Sequence, residues 1–335
     1  HDALPICLNI CIKKMAKTIC VREGKIVENK EIVYFKHFWE HILYKQMLEI
    51  EQRYFGKVSL ATDLYDELRV KFEGKNVIAF ADFSVATACS LNCKACTQWM
   101  PYLKNRKLFS AQEVHGWFEN IFQWVDYIHI VSPFGGEAFL NPEFADILED
   151  MLIYQKEGKI GYIRLVTNGT VFPDEKLQKM LCNPNILILV SNYGDRLTDR
   201  QAETYQKFIA FLKEHNCKYY EPEMEWTDLG VPKGKKELNE QQRKASFSSC
   251  FIRDCAGIYE GNLYHCPRVY ALENMGMECS KGDEVVRFDE IHSREEMREK
   301  LERFYEVEEL SACQWCNVPE ERVGIPAAEQ ILTYK

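Results

Sequence analysis

Three cysteines, Cys89, Cys93 and Cys96, fall within eight residues of the stretch VATACSLNCKACTQW. A disulfide uses two thiols and a structural zinc site uses four ligands, so a set of three asks for another use. Three thiolates hold three irons of a 4Fe-4S cluster and leave the fourth iron open to a substrate or cofactor. An incomplete zinc site that borrows a distant ligand, or thiols packed by chance, are the alternatives that spacing leaves open. A second gathering lies downstream, with Cys250, Cys255, Cys266, Cys313 and Cys316. Four thiolates drawn from it suit an iron-sulfur cluster or a zinc ion.

The chain around these residues has 335 residues, 46% hydrophobic and 28% charged, which is ordinary for a globular protein with a large core. A net charge of -9 and a pI near 5.5 argue against nucleic acid or an anionic membrane as partner. No run of 18 or more apolar residues exists to span a bilayer. The start, HDALPICLNICIKK, lacks both an initiator Met and a basic region ahead of its apolar stretch, so we expect a trimmed start rather than a signal peptide and a cytoplasmic location. Fourteen cysteines in so large a chain point to metal or redox use rather than a disulfide framework. Cys7, Cys11, Cys20, Cys182, Cys217 and Cys279 have no spacing partner and are read as structural.

The elements that must position the triplet alternate between strand and helix. NVIAFADFSVATA (76–88) reads as a strand ending at the first cysteine, and SAQEVHGWFENIFQWV as a helix opened by a Ser110 to Glu113 capping box. YIHIVS is the next strand, followed by a helix with Asn141 as cap and Pro142 in its first turn. IGYIRLVT, PDEKLQKMLC and NILILVSN continue the pattern; a helix opened by Thr198 and Gln201 runs to about His215, and CKYYEPE is one more strand. Such alternation predicts parallel βαβ units forming an open barrel, with the chemistry at the carboxyl ends of its strands. PFGGEAF, TNGT and SNYG follow successive strands, so they converge with the triplet on one rim.

Further on, GIYEGNLYHC reads as a β-hairpin turning at Gly261, and the polar stretch 221–244 as a solvated linker. In the alternative, Glu223, Glu225, Trp226 and Asp228 of that stretch reach a polar substrate at the barrel mouth. Near the N-terminus, KTICVREGKIVENKEIVYF suggests a hairpin turning at Gly24, and FWEHILYKQMLEIEQRYF a helix with an aromatic core-facing stripe.

CxxxCxxC after the first strand, together with Gly135-Gly136-Glu137, resembles the radical S-adenosylmethionine (radical SAM) superfamily over about Asn76 to Tyr220. The resemblance implies an α/β fold, a partial (β/α)6 TIM-like barrel over 76–230, preceded by a small N-terminal strand and helix appendage (1–75). It implies a 4Fe-4S cluster on Cys89, Cys93 and Cys96 whose open iron takes S-adenosylmethionine, reductive cleavage to a 5′-deoxyadenosyl radical, and an electron donor such as flavodoxin or ferredoxin. Gly135 and Gly136 would let the backbone approach this cofactor, Glu137 would pair with its ammonium group, and Asn168, Ser191 and Asn192 resemble the family's polar contacts to it. Two positions depart from the family: Ala95 stands where an aromatic or bulky residue is usual, with Trp99 or Tyr102 as substitutes over the adenine, and Ala138 stands where Pro is usual.

Cys250, ten residues, Gly261, four residues, Cys266, a gap of 46 and then Cys313-Gln-Trp-Cys316 resembles the auxiliary-cluster extension called SPASM or, in its short form, Twitch. This implies a C-terminal α+β extension (231–335) with an auxiliary 4Fe-4S cluster on Cys250, Cys266, Cys313 and Cys316. Cys255 is then spare, either a buried structural thiol or a catalytic hydrogen-atom donor. The chain is similar to members acting on sugars, aminocyclitols and polyols by epimerisation, dehydration or dehydrogenation. The alternatives are maturation of a ribosomally made peptide, with the appendage as docking surface, and a non-catalytic iron-sulfur or zinc protein.

Overall fold

The structure, a computed structural model, describes residues 61–331 except 223, 254, 255, 278, 280 and 281. The hairpin and aromatic helix expected before residue 60 lie outside the described residues. The fold grows from β1 (Val77–Ala86), in which nine of ten residues are buried. A strand covered on both faces reads as a continuous apolar run, and this one belongs to a parallel sheet. α1 (Ala61–Lys71), within the expected appendage, packs beside it, with Tyr65 stacked on Tyr305 at 4.0 Å.

Four further strands follow in parallel, each after a helical crossover. These are α2 (Ala111–Trp124) and β2 (Tyr127–Gly135), α3 (Phe144–Lys156) and β3 (Ile160–Thr167), α4 (Glu175–Leu181) and β4 (Ile186–Val190), then α5 (Asp199–Glu214) and β5 (Tyr219–Tyr220). Both expected capping boxes form: Ser110 with Glu113 opens α2, and Thr198 with Gln201 opens α5. Asn141, expected to cap α3, accepts from Glu143 N through Oδ1 (3.0 Å) and also does something else. It is buried, donates through Nδ2 to Val85 O (2.9 Å) and Phe109 O (2.7 Å), and ties strand β1 to the start of α2. Glu143 takes the position ahead of α3, because the turn at Pro142 delays the helix to Phe144.

The segment 221–244 is only partly a solvated linker. β6 (Glu225–Thr227) pairs antiparallel with β10 (Gly324–Pro326), and Trp226 meets Tyr193 edge-on at 5.8 Å. After exposed residues 233–235, α6 (Glu240–Ser248) begins behind an Asn239 cap. The expected hairpin follows as β7 (Gly257–Tyr259) and β8 (Asn262–Tyr264), turning through Glu260 (φ 46°) and Gly261 (φ 78°). Two positive φ values are the geometry of a tight hairpin turn. α7 (Pro267–Asn274), β9 (Val285–Val286) and α8 (Arg294–Tyr305) complete the chain before β10.

β7 lies parallel to β1 on the edge opposite β2, giving the order β5-β4-β3-β2-β1-β7-β8-β9. The fold is thus α/β with a mostly parallel, partial TIM-like sheet that does not close into a barrel among the described residues. The sixth parallel strand joins beside β1 instead of beyond β5. One core fills the space between sheet and helices, and a second forms around Trp99, Tyr259, Cys266, Tyr270 and Cys313. No helix among the described residues is long and apolar enough to cross a membrane.

Candidate functional site

The triplet sits on the loop that leaves β1. Distant backbone fixes this loop: Lys94 N donates to Glu329 O (2.8 Å) and Ile331 N to Asn92 O (2.7 Å), so the C-terminal segment clamps it. Cys93 is buried in a small apolar cluster with Leu91 and Ala328, against which Cys89, Cys96, Tyr193 and Trp226 pack. Burial pushes all three thiols up, Cys93 to about 12. The Glu137 charge adds to the rise at Cys89, and Cys96 to that at Cys93. Neutral thiols in such a place gain from a cation or cluster that takes the negative charge of the thiolate form.

Gly135 and Gly136 close β2 onto this loop. A Cβ on Gly135, whose φ is +142°, would stand 2.0 Å from Ala86 O, and one on Gly136 would stand 2.0 Å from Ala88 O. Gly136 N donates to Ala86 O (2.7 Å) and Glu137 N to Ala88 O (2.9 Å). The missing side chains therefore make room for the chain's own carbonyls at the exit of β1.

Glu137 is 1% exposed and its carboxylate already has three protein donors. Oε1 accepts from Phe139 N (3.1 Å) and Thr167 Oγ1 (2.8 Å), and Oε2 accepts from Asn168 N (2.8 Å). Burial raises its pKa against the pull of these bonds. Asn168 continues the chain of contacts, its Nδ2 donating to Ser90 Oγ (3.0 Å) and reaching Cys89 Sγ at 3.7 Å. The ends of β2 and β3 are thereby tied to the first cysteine. Ser191 joins through its backbone, N to Thr167 O at 2.9 Å. Asn192 turns away: its Nδ2 donates to Glu221 Oε1 (3.3 Å) and its Oδ1 accepts from Gly194 N (2.9 Å).

Neither aromatic expected to replace the bulky residue at position 95 stands free. Trp99 is fully buried in the second core, donating Nε1 to Gly230 O (2.9 Å), and Tyr102 donates its hydroxyl to Lys94 O (2.7 Å). Sequence reasoning missed Tyr193 instead, which follows the SN pair and has its hydroxyl pKa raised by burial and by Cys93, Cys89 and Cys96. It also missed the sheet face opposite the helical core. There Arg164 Nη2 stands 4.0 Å from Asp82 Oδ1, Asp82 pairs in register with Ser132, and Ser132 Oγ is buried with no partner among the described residues. Lone charged residues inside apolar strands were the available signal.

Of the four later cysteines, Cys266 and Cys313 lie in the second core and Cys250 packs against it. Cys266 and Cys313 are buried, Cys250 and Cys316 half-buried. Burial raises Cys266 and Cys313, and the charges of Cys316 and Cys250 raise both further. Trp315 Nε1 is a buried donor with no acceptor among the described residues. Arg268 Nη1 donates to Cys316 Sγ at 3.1 Å. Buried thiols with the Arg268 guanidinium in contact with one of them form a set that fits an anionic, thiolate-held group. No three His, Cys, Asp or Glu side chains among the described residues converge on one metal ion. Cys255 lies outside the described residues.

Residues 83–191 match the family model described as the radical SAM superfamily. The chain carries a radical SAM domain over these residues. Among solved structures it is similar to BtrN in complex with AdoMet and 2-DOIA, at 15% identity and a TM-score of 0.48, over 76% of this chain and 96% of that one. It is also similar to anSMEcpe with bound AdoMet (17%, TM-score 0.34, 43% and 42%) and Streptococcus suis SuiB bound to S-adenosylmethionine (17%, 0.30, 47% and 35%). The chain thus spans less than half the length of the latter two. No curated protein sequence matches it.

Proposed function

We propose that the protein is an enzyme that binds S-adenosylmethionine at a 4Fe-4S cluster held by Cys89, Cys93 and Cys96, and abstracts hydrogen from a carbon of a sugar, aminocyclitol or polyol. When bound, the cluster supplies the electron that splits the sulfonium to a 5′-deoxyadenosyl radical. The observation that carries the reading is the connected chain Thr167–Glu137–Asn168–Cys89, which binds the ends of β2 and β3 to the cysteine loop. Glu137 is then first a positioning residue, with the one remaining acceptor site of its carboxylate left for an ammonium group. Asp82, Ser132 and Arg164 give the sheet face polar groups suited to a hydroxyl-rich substrate. Cys250, Cys266, Cys313 and Cys316 would hold an auxiliary 4Fe-4S cluster, with Trp315 Nε1 and Arg268 as donors to it.

Anaerobic reconstitution should give about eight irons per chain, and cofactor cleavage to 5′-deoxyadenosine. Replacing Cys89, Cys93 and Cys96 by Ala should leave about half the iron and no cleavage; full cleavage by that variant would refute the assignment. Cys255 distinguishes the reaction branches. If its thiol returns a hydrogen atom to the substrate carbon, leaving a thiyl that one electron from the external donor and one proton restore, Cys255→Ala keeps both clusters and cofactor cleavage but loses epimerised product, and wild-type turnover in deuterated water places deuterium at the inverted carbon. A dehydratase or dehydrogenase tolerates the change.

A further inference from the structure

We infer that Arg268 is a buried counter-charge bonded to sulfur in the second cysteine set and raises the reduction potential of the iron-sulfur group held there. The inference rests on the reading of Cys250, Cys266, Cys313 and Cys316 as that group's ligands. Arg268 is 1% exposed, in the first turn of α7 and two residues after Cys266. A guanidinium does not give up its proton, so burial obliges it to find negative charge or strong acceptors. Its acceptors are Thr97 O (Nε, 3.0 Å), Leu229 O (Nη1, 2.6 Å) and Cys316 Sγ (Nη1, 3.1 Å), with no carboxylate among the described residues. The anionic groups open to it are thiolates.

The surroundings hold the guanidinium in that position. Its plane lies over the Trp99 ring at 4.4 Å. Trp99 takes a positive φ of 58°, rare for a bulky residue, and is held there by complete burial and by its bond to Gly230 O. Thr97 and Cys96 belong to the first cysteine loop, and Cys96 packs against the same core as Cys250, Cys266 and Cys313. The charge thus stands where the two cysteine sets meet, with its sulfur contact on the second. Arg322, also buried, acts on the Cys250 thiol through its charge but makes no bond to sulfur: its donors go to Ser249 Oγ (2.9 Å), Ser246 O (2.8 Å) and Asn317 O (3.0 Å). Reduction adds one electron to a group already anionic through its thiolates. A fixed positive charge in hydrogen-bond contact with one ligand favours the reduced form.

The test uses the full chain carrying Cys89→Ala, Cys93→Ala and Cys96→Ala, so that all iron belongs to the second set, and follows potentiometric titration by electron paramagnetic resonance. At the potential where this background is half reduced, Arg268→Gln should lower the reduced-to-oxidised ratio at least tenfold, about 59 mV for a one-electron couple. Arg268→Lys, which keeps the charge but not the fork, should change the ratio less than threefold. An unchanged ratio in an iron-loaded Arg268→Gln protein overturns the inference. Equal loss of iron from both variants also overturns it, by making Arg268 a clamp indifferent to charge. If the background protein holds no iron, or keeps it after Cys313→Ala and Cys316→Ala, the second cysteine set is not a cluster site and the inference falls with that reading.

Discussion

Three donors aimed at one buried carboxylate constrain position 137 before any ligand is considered. Glu137→Gln keeps the shape, but its amide NH2 must face either Asn168 N–H or the Phe139 N–H and Thr167 O–H pair. One buried donor then meets another, which costs about 1–3 kcal/mol. The cofactor-free variant should therefore unfold at lower denaturant than wild type, with weaker cofactor binding as a separate effect. Equal midpoints for the two proteins would show that the Glu137 knot contributes nothing to the fold. Sequence pointed to Glu137 through its two preceding glycines, but not to these partners, because Thr167 and Asn168 become neighbours only when β2 and β3 pair.

At the scale of elements, the close approach of β2 to β1 decides whether the triplet loop is formed at all. Gly136→Ala sets a methyl group 2.0 Å from a backbone carbonyl, and backbone on both sides is held by strand pairing and by the Glu137 N to Ala88 O bond. The strand ends must separate, and the cysteine loop moves with them. We expect this variant to keep its helical circular dichroism while losing the triplet's iron. Full iron loading with normal cofactor affinity would mean that the strand ends yield cheaply. The capping boxes of α2 and α5 were legible from sequence because a cap joins residues three apart. Asn141 was legible only in part: its bond from Glu143 N joins residues two apart, whereas the acceptors of its amide, Val85 O and Phe109 O, lie far away in sequence.

For the molecule as a whole, acid stability carries the imprint of burial. His129 on β2 lies between Tyr127 and Tyr162, and burial, with a smaller push from Lys71, lowers its pKa to about 4. The folded chain thus binds this proton less readily than the unfolded chain, whose His titrates near 6.5. The associated stability is present above pH 6.5 and is lost as pH falls through about 4. For a half-buried ring this amounts to about 2 kcal/mol. His129→Gln should shift the stability difference in the variant's favour by about that amount between pH 7 and pH 4, measured by denaturant titration. Parallel stability curves would exclude the contribution.

The sequence by itself determined the two cysteine patterns, the alternation of strand and helix, the hairpin at Gly261 and the rim on which the motifs after the strands lie. These follow from spacing along the chain and from hydrogen bonds between near neighbours, which a linear pattern records. Tertiary structure decided the rest. It placed β7 beside β1, clamped the triplet loop with residues 329–331, turned Trp99 into the second core and brought Tyr193 to the triplet in its place. It also set Arg268 against Cys316, 48 residues onward. A buried donor or charge takes whatever acceptor the packing leaves within reach, and that choice is made only when distant strand ends and loops meet.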